Sequence, residues 1–181
     1  MRRISRYPKL GANMANRVRL DTPKFPSRED KMYSQGREDP YISRKKLPDP
    51  TRCLVCGAVY TKGRWTWNEL DGEAAEELCP ADQRIKDKVP AGIVTIKGEF
   101  FEAHRDEIVS LVQNQEKLEK ERHPLERLIG FKKDGKGLRV ETTGMHMARR
   151  VGDALEGAYQ GDLEIDYLKG QYKVRVSWER N

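Results

Sequence analysis

One cysteine knuckle in this chain is complete and a second is one ligand short. Cys53-Leu54-Val55-Cys56-Gly57 supplies two thiols at knuckle spacing, and Cys79-Pro80-Ala81-Asp82 repeats that spacing with an aspartate in place of the last thiol. A structural zinc takes four ligands in a tetrahedron, and two such knuckles provide it with little ordering of the chain. Residues 51–90 are therefore expected to form a zinc-ribbon-like segment held by Cys53, Cys56 and Cys79. Asp82 has the spacing of the fourth ligand, although a carboxylate is uncommon in a structural site; His104, His123 and water are the alternatives. Cys-x-x-Cys and one further cysteine fit metal binding better than a disulfide framework.

What precedes the knuckle has a different character. Residues 1–50 hold 13 Lys and Arg against 6 Asp and Glu, whereas the remainder of the chain holds 22 against 23, so the basic surplus is confined to the first fifty residues. Six of the nine prolines are there too, each fixing φ and removing a backbone donor. This segment is expected to be a disordered, extended basic arm. Neither end carries the apolar run of a signal peptide or membrane helix, so the cytoplasm is the expected location. The Arg-rich start also shares the composition of organellar transit peptides.

After the knuckle, Trp65 and Trp67 alternate as on one face of a strand. The acidic stretch 68–78 reads as a short helix or loop leading to Cys79. Residues 91–181 then read as a β-α-β-α-β-β sandwich, which makes the protein α+β. Gly92 to Lys97 is a β-branched strand. A helix starts at Phe100 with Phe101, Ile108, Leu111, Val112 and Leu118 at three- and four-residue spacing, and Pro124 ends it. Pro124 to Phe131 reads as another turn or two of helix. Lys132 to Gly137 reads as a basic loop before the strand Leu138 to Thr142. Thr142 or Thr143 is placed to cap a second helix that buries Met147, Val151, Leu155 and Ala158, with Arg149 and Asp153 at i,i+4. In the closing hairpin a two-residue Lys169-Gly170 loop pairs Ile165 with Val174, Leu163 with Val176 and Tyr167 with Tyr172; Asp166 and Glu164 then face Lys173 and Arg175. Cations answered in this way are unavailable to phosphate.

Catalytic patterns are scarce. No Ser-His-Asp constellation, HExxH, paired carboxylates or phosphate-binding loop stands out. His104 lies on an apolar stripe and His146 between two methionines, positions that packing explains. Nucleic-acid chemistry has more support. Lys62 and Arg64 interleave with Trp65 and Trp67, a combination that stacks unpaired bases while meeting phosphates, each stack contributing ~1–3 kcal/mol; two tryptophans can equally fill a small ribbon core. Arg2, Arg3, Arg6, Arg17, Arg19, Lys24, Arg44, Lys45 and Lys46 are the expected phosphate contacts of the arm, mixed with Tyr7, Phe25, Tyr33 and Tyr41.

These residues resemble those of an uncharacterised family of small bacterial proteins with the pattern C-x-x-C-G, G-R-W, C-P-x-C-x-R, H-R-x-E-I, H-P-L-E-R and A-R-R-x-G. The matching segments are Cys53 to Gly57, Gly63-Arg64-Trp65, Cys79 to Asp82 with Arg84, His104 to Ile108, His123 to Arg127 and Ala148 to Gly152. The ribbon, G-R-W and the later Ala-Arg pair are more distantly similar to the nuclear export adaptor of the large ribosomal subunit and its archaeal relatives. The resemblance implies binding to the ribosome or ribosomal RNA, with Cys53, Cys56 and Cys79 as metal ligands. Asp82 departs from the pattern, which has cysteine.

The resulting expectation is a non-enzymatic, ribosome-associated RNA-binding factor of maturation, quality control or dormancy. A metal-dependent hydrolase or nucleotide-handling enzyme using an open zinc position, and a protein-binding adaptor, are the alternatives. If Asp82 merely relaxes a structural site, Asp82→Cys should tighten zinc, raise thermal stability and leave RNA binding intact.

Overall fold

The computed structural model describes residues 39–42, 46–70 and 72–181. Arg2, Arg3, Arg6, Arg17, Arg19, Lys24, Arg44 and Lys45 lie outside the described residues. The described residues fall within one unit of the chain, and their fold is α+β with two mixed sheets and four helices.

The first sheet consists of β1 (Thr51–Cys53), β2 (Val59–Thr61), β3 (Arg64–Thr66) and β4 (Ala75–Glu77) in the order β3-β2-β1-β4. Strands β2 and β3 are joined by Lys62-Gly63, whose φ values of 50° and 81° are those of a two-residue hairpin turn matching the strand twist. β4 runs parallel to β1, so the acidic stretch expected to be helix or loop instead closes the sheet. Its backbone supplies the partners that β1 lacks on that edge. A helix the sequence reading did not anticipate, α1 (Pro80–Asp87), starts on the second knuckle itself. Pro80 occupies its first turn, where a missing N–H costs nothing, and Cys79 caps it by accepting the Asp82 N–H.

The end of the expected arm joins this unit. Tyr41 lies over the Arg84 guanidinium at 4.3 Å and donates its hydroxyl to Asp87 at 3.0 Å. Arg84 Nη2 in turn bonds Asp39 Oδ1 at 2.5 Å. Tyr41, expected to belong to an extended arm that orders along RNA, is instead held against α1.

The second sheet is larger. It contains β5 (Gly92–Lys97), β6 (Leu128–Asp134), β7 (Gly137–Thr142), β8 (Asp162–Tyr167) and β9 (Val174–Glu179) in the order β6-β7-β5-β9-β8, with β5 and β9 parallel and the other pairs antiparallel. Alternation sets its two faces: Val94, Ile96, Val140, Val174, Val176 and Trp178 are buried beneath the helices, while Ile93, Thr95, Arg175 and Ser177 occupy the other face. Helix α4 (Met145–Tyr159) crosses β5, β7, β8 and β9, and α3 (Arg105–Arg122) packs on α4. The close approach of α4 depends on Gly92, where a Cβ would lie 2.4 Å from that of Ala148 and 2.3 Å from Thr142 Oγ1.

The structure departs from the expected pattern at several places. The order is β-α-α-β-β-α-β-β, one strand richer than β-α-β-α-β-β, because Leu128–Asp134 pairs with β7 as a hairpin where a turn of helix and a loop were expected. The first long helix divides at His104 into α2 (Glu99–Ala103) and α3. Phe101, Ile108 and Val112 are buried as the spacing predicts, whereas Leu118 is exposed. In α4, Met147, Val151 and Leu155 are buried but Ala158 is exposed. The Arg149–Asp153 pair forms, at 3.7 Å. Neither threonine caps α4: the N-cap is Gly144, and the hydroxyls of Thr142 and Thr143 donate instead to the carbonyls of Gly144 and Leu125.

The β8–β9 hairpin has the expected faces and a register two residues away. Ile165 faces Val176, Leu163 faces Trp178 and Asp166 faces Arg175, while Glu164 faces Ser177. A shift of two leaves each side chain on its own face. The loop is longer because Leu168 N–H bonds Lys173 O, which releases Tyr172 from the strand to lie 5.6 Å from the Arg84 guanidinium. Among the described residues no helix is long and apolar enough to cross a membrane.

Candidate metal centre and adjoining cleft

Strand β1 ends on Cys53, and the chain reverses at once: Cys53 N–H bonds Ala58 O at 2.8 Å and Gly57 N–H bonds Cys53 O at 3.1 Å. Gly57 adopts φ 75°, which glycine accepts without strain. The turn brings Cys56 back beside Cys53. From the other direction, β4 and the cap of α1 deliver Cys79, with Asp82 one turn along. The four donor atoms of Cys53, Cys56, Cys79 and Asp82 lie within 4.8 Å of one another, and all three thiols are free. Asp82 Oδ2 is 3.1 Å from the sulfurs of both Cys53 and Cys79, and the Cys56 and Cys79 sulfurs are 3.8 Å apart.

This donor set suits a metal ion. Its three sulfurs favour a soft or borderline ion, and backbone N–H groups already face two of them, Cys79 N toward Cys53 Sγ at 3.3 Å and Asp82 N toward Cys79 Sγ at 3.4 Å. His104 and His123, considered as fourth ligands, are not members of the cluster. His104 stacks on Phe100 with centroids 4.1 Å apart, and His123 is exposed at the end of α3.

Arg127 completes the surroundings. Its Nη1 donates to Asp82 Oδ1 at 2.9 Å, and its Nη2 lies 3.1 Å from Asp82 Oδ2 and 3.0 Å from Cys79 Sγ. Both side chains are buried, at 7% and 5% exposure, so this pair is shielded from water and screening salt. Burial alone would raise the Asp82 carboxyl; the Arg127 guanidinium, aided by the thiols, outweighs it and holds the group well below the ordinary carboxylate range. The Cys56 and Cys79 thiols shift in opposite directions. The hydrogen bond between them lowers Cys56 and raises Cys79, with burial pushing both upward. In sequence Arg127 is simply the end of the segment His123 to Arg127, and nothing local marks it as a partner of Asp82.

Beside this centre lies a cleft of about 630 Å³. Tyr60, Arg64 and Trp65 of the β2–β3 hairpin form one side. Pro124, Leu125 and Glu126 form another, and His146 and Arg150 of α4 the third. The segments Gly63-Arg64-Trp65, His123 to Arg127 and Ala148 to Gly152, far apart in sequence, thus meet at one place. Trp65 and Leu125 also pack against the cysteine cluster. Glu126 accepts the Met147 N–H at 2.8 Å, which caps α4 from a different segment of chain. Burial raises its pKa above the usual glutamate value, the principal effect among several. Arg150 pairs with Glu119 at 3.2 Å.

The other expected nucleic-acid contacts separate. Lys46, Lys62 and Arg64 are exposed, and among the described residues none is in an ion pair with a carboxylate. Trp65 is half-buried against the core of Cys53, Ala58, Cys79 and Ala81, and Trp67 donates its Nε1–H to Lys120 O at 2.5 Å, which ties the hairpin to the end of α3. No protein-family model, curated protein or solved structure matches this chain.

Proposed function

We propose that the protein is a ribosome-associated RNA-binding factor, in which a zinc ribbon and the adjoining cleft receive an unpaired nucleotide while the basic segment of residues 1–50 follows the phosphate backbone. The observation that carries this reading is the composition of the cleft wall, where Tyr60 and Trp65 are joined by the exposed Arg64, whereas Arg150 is paired with Glu119. Aromatic faces accept any base, and cations around them accept phosphate. The β8–β9 hairpin contributes less, since Arg175 faces Asp166. Zinc is the ion that three thiolates and one carboxylate suit best, and its role is structural: it fixes the hairpin that presents Arg64 and Trp65.

The donor set already numbers four, which weighs against a hydrolase built on an open zinc position. The gathering of Glu119, His123, Glu126 and His146 at the cleft favours a nucleotide-handling enzyme as the second reading, and turnover of nucleotides or RNA by the metal-loaded protein would establish it.

The test is titration of the full chain with short single-stranded RNA, followed by tryptophan fluorescence and repeated across a salt series. Arg64→Glu should weaken binding by about tenfold or more, since it replaces a phosphate contact with a repulsion, and should leave the melting curve unchanged. Affinity equal to the wild type would remove the cleft from the interaction.

A further inference from the structure

Asp82 stands where a fourth thiol is expected, and its two oxygens face different ways. Oδ2 is turned to the sulfurs of Cys53 and Cys79, both at 3.1 Å. Oδ1 is bonded to Arg127 Nη1 at 2.9 Å. A cysteine has a single ligating atom and could not offer one atom to the sulfur cluster and a second to Arg127. The Arg127 backbone is itself held at both its polar groups: Arg127 N–H bonds Thr143 Oγ1 at 2.8 Å, and Thr143 N–H bonds Arg127 O at 2.9 Å. The fork therefore reaches the cysteines from a backbone fixed against the residue that follows β7.

Charge gives this arrangement a purpose. Three thiolates and a carboxylate around a divalent ion leave an excess of two negative charges in a buried place, where unbalanced charge is costly. Arg127 is permanently cationic. It also contacts a sulfur directly, with Nη2 3.0 Å from Cys79 Sγ and 3.7 Å from Cys56 Sγ. We propose that Arg127 is a positioning residue for the metal: it orients Asp82 so that one carboxylate oxygen serves the ion, and it offsets one of the two excess negative charges of the loaded site. The inference rests on reading the cluster as a zinc centre. It assigns to Asp82 a bridging role, in which the same carboxylate joins the cysteine-bearing sheet to the five-stranded one. Because Arg127 ends the loop whose Pro124, Leu125 and Glu126 line the cleft, loading the centre also fixes that wall.

The experiment compares zinc affinity by chelator competition in the wild type, Arg127→Gln and Arg127→Lys, with cobalt(II) absorption as a report on the ligand set. Loss of an outer-sphere partner is expected to weaken zinc by about 10–100-fold in Arg127→Gln. Arg127→Lys keeps the charge but loses the fork, and should lie between the two. Cobalt bands should retain their thiolate character in Arg127→Gln while the ligand-field bands shift, because Asp82 is no longer oriented. Zinc binding as tight as the wild type, or tighter, in Arg127→Gln would overturn the proposal and make the guanidinium a competitor for the pocket. If Arg127→Gln does not fold, Arg127→Lys decides: affinity and cobalt spectrum identical to the wild type would overturn it. A wild type that takes up neither zinc nor cobalt would sink the zinc reading itself, and this inference with it.

Discussion

At the scale of single residues, the odd aspartate of the second knuckle acquires a reason. Asp82 and Arg127 are 45 positions apart in sequence and both buried. Knuckle spacing is local, so the sequence reading could select Cys53, Cys56, Cys79 and Asp82; a partner brought in by tertiary packing leaves no such trace. The difference reverses an expectation. Asp82→Cys offers the metal a fourth thiolate but strands the Arg127 charge, and removing one partner of a buried pair costs about 3–5 kcal/mol. The metal-free Asp82→Cys protein should therefore unfold at lower denaturant than the wild type, and adding Arg127→Met should restore much of the loss. Stability of Asp82→Cys at or above that of the wild type without metal would show that the pair contributes little.

Elements were legible where their own pattern sufficed. β5 and the buried stripes of α3 and α4 follow from alternation and from three- and four-residue spacing. β6 was not legible, because Leu128–Asp134 carries two lysines and an aspartate and becomes a strand only through pairing with β7. The β8–β9 register was missed because Tyr172 leaves the strand for Arg84, a preference that no hairpin rule contains. Helix-on-sheet packing sets its own prediction. Gly92→Ala would drive a methyl into Ala148 and Thr142, and overpacking of this kind costs about 1–3 kcal/mol; an unchanged denaturation midpoint would mean that α4 can move aside.

The cap of α4 gives a second prediction at this scale. Burial raises Glu126 above its ordinary pKa, so the folded state holds that proton more tightly than the unfolded chain does. The corresponding stability is fully present below the ordinary glutamate range and is lost as pH rises through the raised value. Glu126→Gln should flatten this part of the stability profile. Parallel wild-type and variant profiles from pH 4 upward would contradict it.

For the whole molecule, charge is divided along the chain. The first fifty residues hold the basic surplus, 13 cations against 6 anions, while the remainder is close to balance at 22 against 23. In the proposed function, this basic segment supplies the long-range attraction to a polyanion and the cleft beside the cysteines the short-range selection. This division was readable from the sequence, since counting charges needs no fold. The cleft was not, because it exists only where β2–β3, the loop after α3 and the start of α4 meet.

The most direct test of RNA association is sedimentation of native lysate through a sucrose gradient, with and without RNase, for the full chain and for a chain lacking residues 1–50. The full chain is predicted to travel with ribosomal particles, to shift to the top of the gradient after RNase or high salt, and to be displaced partly by loss of the basic segment. Sedimentation at the chain's own mass in untreated lysate, or partners that stay attached after RNase, would contradict it.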